Sequence, residues 1–81
     1  MDKAIYSAEQ ERLCELLRSY REQAGLRQVQ VAEALDVPQS FVSKYESGER
    51  RLDLIELRQV CTVLGVSLGE FVAAFESTTL K

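Results

Sequence analysis

Apolar positions along this chain recur every three or four residues, and each such stretch is closed by a glycine or a turn residue. Leu13, Leu17, Tyr20 and Ala24 form the first stripe, a spacing that keeps apolar side chains on one face of a helix. Ser7 with Gln10 makes an S-x-x-Q capping box at its start, and Gly25 closes it in left-handed backbone. A second helix is expected from about Gln28 to Leu35 and a third from about Gln39 to Glu46. Between them Asp36 stands where a left-handed residue is wanted, a conformation Asp tolerates better than most residues. Pro38 presets φ at the start of helix three and lacks only an N–H that would be orphaned there anyway. Ser47–Gly48 closes helix three, leaving Glu49, Arg50 and Arg51 as an exposed loop. Asp53 caps a fourth helix with Glu56 completing its box, and Leu54, Leu57, Val60, Cys61 and Leu64 follow at helical spacing up to Gly65. Ser67 with Glu70 is a third capping box, opening a fifth helix that carries Leu68, Phe71, Val72 and Phe75. No alternating strand pattern competes. The expected fold is all-α, a compact five-helix unit in which residues 1–81 make one domain, with a core over 7–75 and a tail over 76–81 that frays.

The centre of the pattern is the most specific part. Over Gln28 to Ser47, Val31, Ala32, Leu35, Val37, Val42 and Tyr45 fall where two short helices crossing over a tight turn need small or apolar inward residues. Gln28, Gln39, Ser40, Ser43 and Lys44 are left pointing outward. This arrangement is a helix-turn-helix, the unit that places its second helix in a DNA major groove. Phe41 fits neither face cleanly; it is expected to pack under the turn or stay partly exposed, with a thymine methyl as its alternative contact.

Composition narrows the picture. With 81 residues, 46% hydrophobic and 28% charged, the chain has ordinary globular usage and room for one core. No apolar run approaches the roughly 18 residues of a membrane span. The start, MDKAIYSAEQ, has no long apolar segment of the secretory kind. A cytoplasmic location is expected, associated with the nucleoid when bound to DNA, with no membrane partner. Cys14 and Cys61 are far apart within apolar stretches and the chain has no histidine. Paired metal-ligand spacing is therefore lacking, and two small buried thiols in a reducing compartment are expected, with no metal site and no cofactor. The lack of histidine removes the commonest general base, and no nucleophile sits beside an activator, so no catalytic residues are expected and an enzyme is rejected. The net charge of −3 opposes phosphate binding at first sight. Its distribution is uneven, however: Asp2, Glu9, Glu11, Glu15, Glu70 and Glu76 lie toward the two ends, while Arg27, Lys44, Arg50 and Arg51 gather around the helix-turn-helix. A domain with a weakly positive face and an acidic back is expected.

The run GLRQVQVAEALDVPQSFVSKYESGER resembles the lambda-repressor-like DNA-binding domain, the XRE-type helix-turn-helix. The likeness extends over roughly residues 16–75 and includes the Tyr45-Glu46-x-Gly48 ending and the amphipathic helix after it. It implies five helices, a recognition role for helix three, and operator binding as a homodimer. The chain departs from family habit at Arg27, where Thr or Ser is common, at Asp36, where Gly is usual, and at Pro38, where Ser or Thr often caps helix three.

By this resemblance Gln39 and Ser40 face base edges, with Ser43 and Lys44 one turn on. Gln suits adenine, Lys suits guanine O6 and N7, and Ser suits several edges. Gln28 opens helix two, where its amide and the positive helix end both suit a phosphate, with Arg27 beside it. Ser47 lies where the family touches phosphate, and Arg50 and Arg51 are within reach of the backbone. The resemblance also implies an ion pair between Arg21, late in helix one, and Glu46, at the end of helix three. Leu68, Val72, Phe75 and Leu80 exceed what a sealing helix needs and are expected to bury against a second copy. The leading expectation is a sequence-specific transcriptional regulator, a small repressor-type homodimer on a palindromic operator of double-stranded DNA, with no small-molecule ligand evident. The alternative is a protein-interaction module, antitoxin-like or adaptor, that kept the fold with weak or no DNA binding.

Overall fold

Helix ends and turns in this chain follow its punctuation. In the computed structural model, which describes residues 3–79 and the side chains of 8–77, the order is α1 (Lys3–Gln23), α2 (Gln28–Leu35), α3 (Gln39–Ser47), α4 (Leu54–Leu64) and α5 (Leu68–Thr79). There is no strand among the described residues. Three helices end in the same paired backbone closure. After α2, the Asp36 N–H donates to Glu33 O at 3.2 Å and the Val37 N–H to Ala32 O at 3.0 Å. Gly25 and Leu26 repeat this after α1, and Gly65 and Val66 after α4. The closure needs a left-handed residue at its first position. Asp36 takes it with φ 60° and ψ 47°, and it is the one non-glycine residue at positive φ among the described residues.

The starts are equally local. Asp53 Oδ1 accepts from the Glu56 N–H at 2.7 Å while Glu56 Oε1 accepts from the Asp53 N–H at 3.0 Å, so two orphan donors of α4 are satisfied together. Ser67 Oγ accepts from the Glu70 N–H at 3.0 Å to open α5. Pro38 sits just outside α3 with extended backbone, φ −65° and ψ 154°, and Arg27 does the same for α2. The Arg27 side chain makes no cap bond; its backbone N–H instead donates to Gln30 Oε1 at 2.8 Å.

The core draws on every helix: Leu17 from α1, Val31 and Ala32 from α2, Val42 and Tyr45 from α3, Val60, Cys61 and Leu64 from α4, and Phe71 from α5. Each fully buried Val, Leu or Phe contributes roughly 1.5–3 kcal/mol by leaving water. Leu13, Leu26, Leu35, Val37, Leu57 and Leu68 pack around this centre. Helix α3 rests on α1 and α2, and α5 packs on α1 and α4. Both cysteines are buried and free, and the Cys14 thiol donates to Tyr45 O at 3.2 Å, joining α1 to α3.

Four local expectations are corrected. Helix α1 begins at Lys3, so Ser7 lies inside it and is not its N-cap; a capping pattern marks a possible start, and a helix already under way runs through it. Ala24 follows the last residue of α1 and is exposed, because the closing turn carries it off the inward stripe. Leu54, the first residue of α4, is 66% exposed rather than inward, although its spacing puts it on the same face as Cys61 and Leu64. The stretch from Glu76 to Thr79 continues α5 instead of fraying.

Candidate nucleic-acid interface

The outer face of α3 is polar and open. Gln39, Ser40, Ser43 and Lys44 are all exposed, while Val42, Tyr45 and Glu46 from the same helix are buried. The division follows from helical spacing: positions three and four apart share a face. The inward face is apolar except at Glu46, the one buried charged residue among the described residues.

Glu46 is not left alone. Its side chain is 1% exposed and that of Arg21 is 12% exposed. The guanidinium meets the carboxylate with Nε to Oε2 at 2.6 Å and Nη2 to Oε1 at 3.1 Å. The third nitrogen, Nη1, donates to Leu26 O at 2.9 Å in the turn that follows α1. Hydrogen bonding to Glu46 outweighs burial and raises the Arg21 pKa, so the guanidinium holds its proton all the more firmly. Arg18, one turn earlier on the same face of α1, approaches Oε1 at 3.7 Å from a half-exposed position.

A further partner was not foreseen. Gln28 Nε2 donates to Glu46 Oε1 at 3.0 Å, and Gln39 Nε2 donates to Gln28 Oε1 at 3.4 Å. Gln28 is accordingly half-buried and turned onto Glu46, which corrects the expectation that it points outward. The first residues of α2 and α3 are thus linked to each other and to the buried carboxylate. Nothing in local spacing signals this link, because Gln28 and Glu46 are 18 positions apart. Arg18 did carry a signal: it stands three residues before Arg21, on one helical face.

The remaining candidates differ in freedom. Arg27 is exposed beside Gln28. Ser47 Oγ donates to Lys44 O at 3.1 Å and accepts from the Glu49 N–H at 3.4 Å, so its hydroxyl finishes the end of α3. Gly48 follows at φ 90°. Arg50 is tied down: Nη2 meets Glu56 Oε2 at 2.7 Å and the guanidinium lies 4.5 Å from the centre of the Phe41 ring. Phe41 in turn meets Tyr45 edge-on at 5.9 Å, so it packs at the rim of the core beneath Arg50. Arg51 is exposed. On α5, Leu68 and Phe75 are half-buried and Val72 is 40% exposed, whereas Leu80 lies outside the described residues. Among the described residues no group of three or more metal-ligating side chains comes together, and no single helix is long and apolar enough to cross a membrane.

Comparison with known proteins agrees with this geometry. A helix-turn-helix family profile matches residues 17–71. An XRE-family like protein from Pseudomonas syringae pv. tomato str. DC3000 superposes with a TM-score of 0.87 at 40% identity, over 95% of this chain and 94% of that one. The clp gene regulator ClgR from C. glutamicum gives a TM-score of 0.76 at 29% identity, over 85% of this chain and 88% of that one. The restriction-modification controller protein C.Esp1396I gives 0.81 at 20% identity, over 90% of this chain and 96% of that one, a likeness of fold. No curated protein sequence matches the chain. The chain belongs to the XRE-type, lambda-repressor-like helix-turn-helix family. That family is one of DNA-binding transcription regulators rather than enzymes.

Proposed function

We propose that this protein is a sequence-specific transcription regulator that binds a palindromic operator as a homodimer, with α3 in the major groove. One observation carries the reading: the outer face of α3 presents Gln39, Ser40, Ser43 and Lys44 to solvent, none of them needed for the core. These side-chain types match base edges, with Gln suited to adenine and Lys to guanine. Arg27, Gln28, Ser47, Arg50 and Arg51 flank that face and contact phosphates, which set register rather than sequence. Arg50 must leave or share its bond to Glu56 to do so.

A single unit of this size makes few base contacts, and two-fold pairing places two recognition helices about 34 Å apart, one turn of DNA. Leu68, Val72 and Phe75 on α5 form the pairing face, supported by the exposure of Val72; Leu80, expected from the sequence to join them, lies outside the described residues. The polar, exposed outer face of α3 favours the regulator over the interaction module, while the net charge of −3 favours the module.

Selection of bound sites from a random duplex pool tests the reading directly. The expected result is a two-fold symmetric site. Its affinity falls linearly in log salt, with a slope of about −5 for two copies each neutralising three phosphates through Arg27, Arg50 and Arg51. Failure to enrich any duplex overturns DNA binding. A monomeric mass by ultracentrifugation at micromolar concentration overturns the dimer.

A further inference from the structure

Arg50 is already engaged before any DNA arrives. Its Nη2 meets Glu56 Oε2 at 2.7 Å, and its guanidinium lies 4.5 Å from the centre of the Phe41 ring in the first turn of α3. We infer that Glu56 is a positioning residue that governs how tightly DNA is held: it parks Arg50 against α3, and DNA binds by drawing Arg50 from this carboxylate onto a phosphate. The inference rests on the DNA-binding reading above and deepens it.

The side chain can make this exchange while the backbone stays in place. The Arg50 N–H donates to Lys44 O at 3.1 Å, which fixes the loop to the end of α3. The guanidinium itself is held by a contact that water already weakens. The Arg50 and Glu56 side chains are 42% and 30% exposed, and an ion pair so open contributes little. Glu56 stays satisfied without Arg50. Its Oε1 accepts from the Asp53 N–H at 3.0 Å, in the capping box of α4, and the helix dipole favours a carboxylate in the first turn. Release therefore leaves neither an orphaned charge nor a broken cap. Glu56 meets the guanidinium through one oxygen, Oε2. A phosphate offers two in the geometry that the fork of arginine matches, and counterions leave the DNA as the cation arrives. The exchange favours DNA, but only by the difference between two bonds. A phosphate contact carries no sequence information, so Glu56 weakens the hold on operator and on random DNA together.

The full chain, Glu56→Gln, Arg50→Gln and the double variant are each titrated against the selected operator and against a random duplex of equal length. Glutamine at position 56 keeps an oxygen for the Asp53 N–H, so Glu56→Gln should melt at the temperature of the parent. It is expected to tighten binding to both duplexes by about two- to fivefold, the range of an exposed ion pair. Arg50→Gln is expected to weaken both and to flatten the salt slope by about one per copy. In the double variant the gain from Glu56→Gln should disappear, because no guanidinium is left to release.

Unchanged affinity in Glu56→Gln overturns the inference while leaving DNA binding intact. An equal gain with and without Arg50 also overturns it, since Glu56 would then act as a plain negative charge near the DNA. An unaltered salt slope in Arg50→Gln shows that Arg50 never reaches a phosphate and overturns the exchange. Should Glu56→Gln melt well below the parent, the slope of Arg50→Gln decides. No binding of any duplex by the unaltered protein overturns the DNA reading and the inference with it.

Discussion

Arg21 closes on Glu46 with two of its nitrogens, Nε at 2.6 Å and Nη2 at 3.1 Å, and so fastens α1 to the end of the helix that carries the polar face. Burying such a pair contributes little net stability, because desolvation offsets the attraction. Breaking it is another matter, since the surviving charge stays buried without its partner.

Glu46→Ala is therefore expected to lower stability by about 3 kcal/mol or more. Glu49→Ala, on an exposed side chain three residues away, should stay within about 0.5 kcal/mol of the parent. Urea melts of the two variants compare them directly, and equal midpoints would refute the structural role given to the pair.

Gln39→Ala and Arg51→Ala should separate reading from positioning. Removing the Gln39 amide is expected to cost about 1–3 kcal/mol of discrimination at one base pair per half-site and little elsewhere. Removing the Arg51 charge should weaken all sequences alike and flatten the salt slope by about one per copy. Binding profiles that change in the same way for both variants would contradict this division.

Tyr45 supplies a test of the core. Its ring is buried, and its hydroxyl is one of two buried side-chain polar atoms without a hydrogen-bond partner among the described residues. Burying an unmatched hydroxyl costs about 1–3 kcal/mol. Tyr45→Phe keeps the ring and its edge-on contact with Phe41 while deleting that cost. The melting temperature should hold or rise, and a loss above about 1 kcal/mol would show that the hydroxyl has a partner after all.

Stability should also fall at alkaline pH. Burial pushes up the thiols of Cys14 and Cys61 from their ordinary 9.0 and the phenol of Tyr45 from its ordinary 10.0. Each group keeps its proton in the folded chain after the unfolded chain has released it. The unfolded state thus binds fewer protons, and stability, full below the ordinary values, is lost as pH climbs past them. Urea midpoints measured from pH 7 to about 11 should decline above about pH 9, less steeply in Tyr45→Phe. With no histidine in the chain, no histidine titration should appear between about pH 6 and 8. A flat profile through the alkaline range would contradict the burial of these groups.

Much of the architecture was legible because it is local. The bounds of α2, the left-handed Asp36, the Asp53–Glu56 box and the Ser67–Glu70 box each depend on residues within one turn of each other. Spacing also divides α3 correctly into its buried and open faces. It fails where a side chain answers to something distant in sequence. Gln28 reads as a surface residue until Glu46, brought in by the fold, draws its amide inward. Arg50 reads as a loose loop cation until Glu56 and Phe41 hold it. Leu54 matches the apolar spacing of α4, yet the first turn of that helix projects past the neighbours that cover the rest.

The separation between the two faces of α3 has an evolutionary side. Ser40 and Ser43 are exposed and belong to no core contact. Substitutions there alter what the helix offers a partner at almost no cost to folding, so descendants of this chain can drift toward new target sequences in single steps. Gln39 is less free to drift, because its neighbour is anchored to the interior. A lineage that changes residue 39 is expected to change residue 28 along with it.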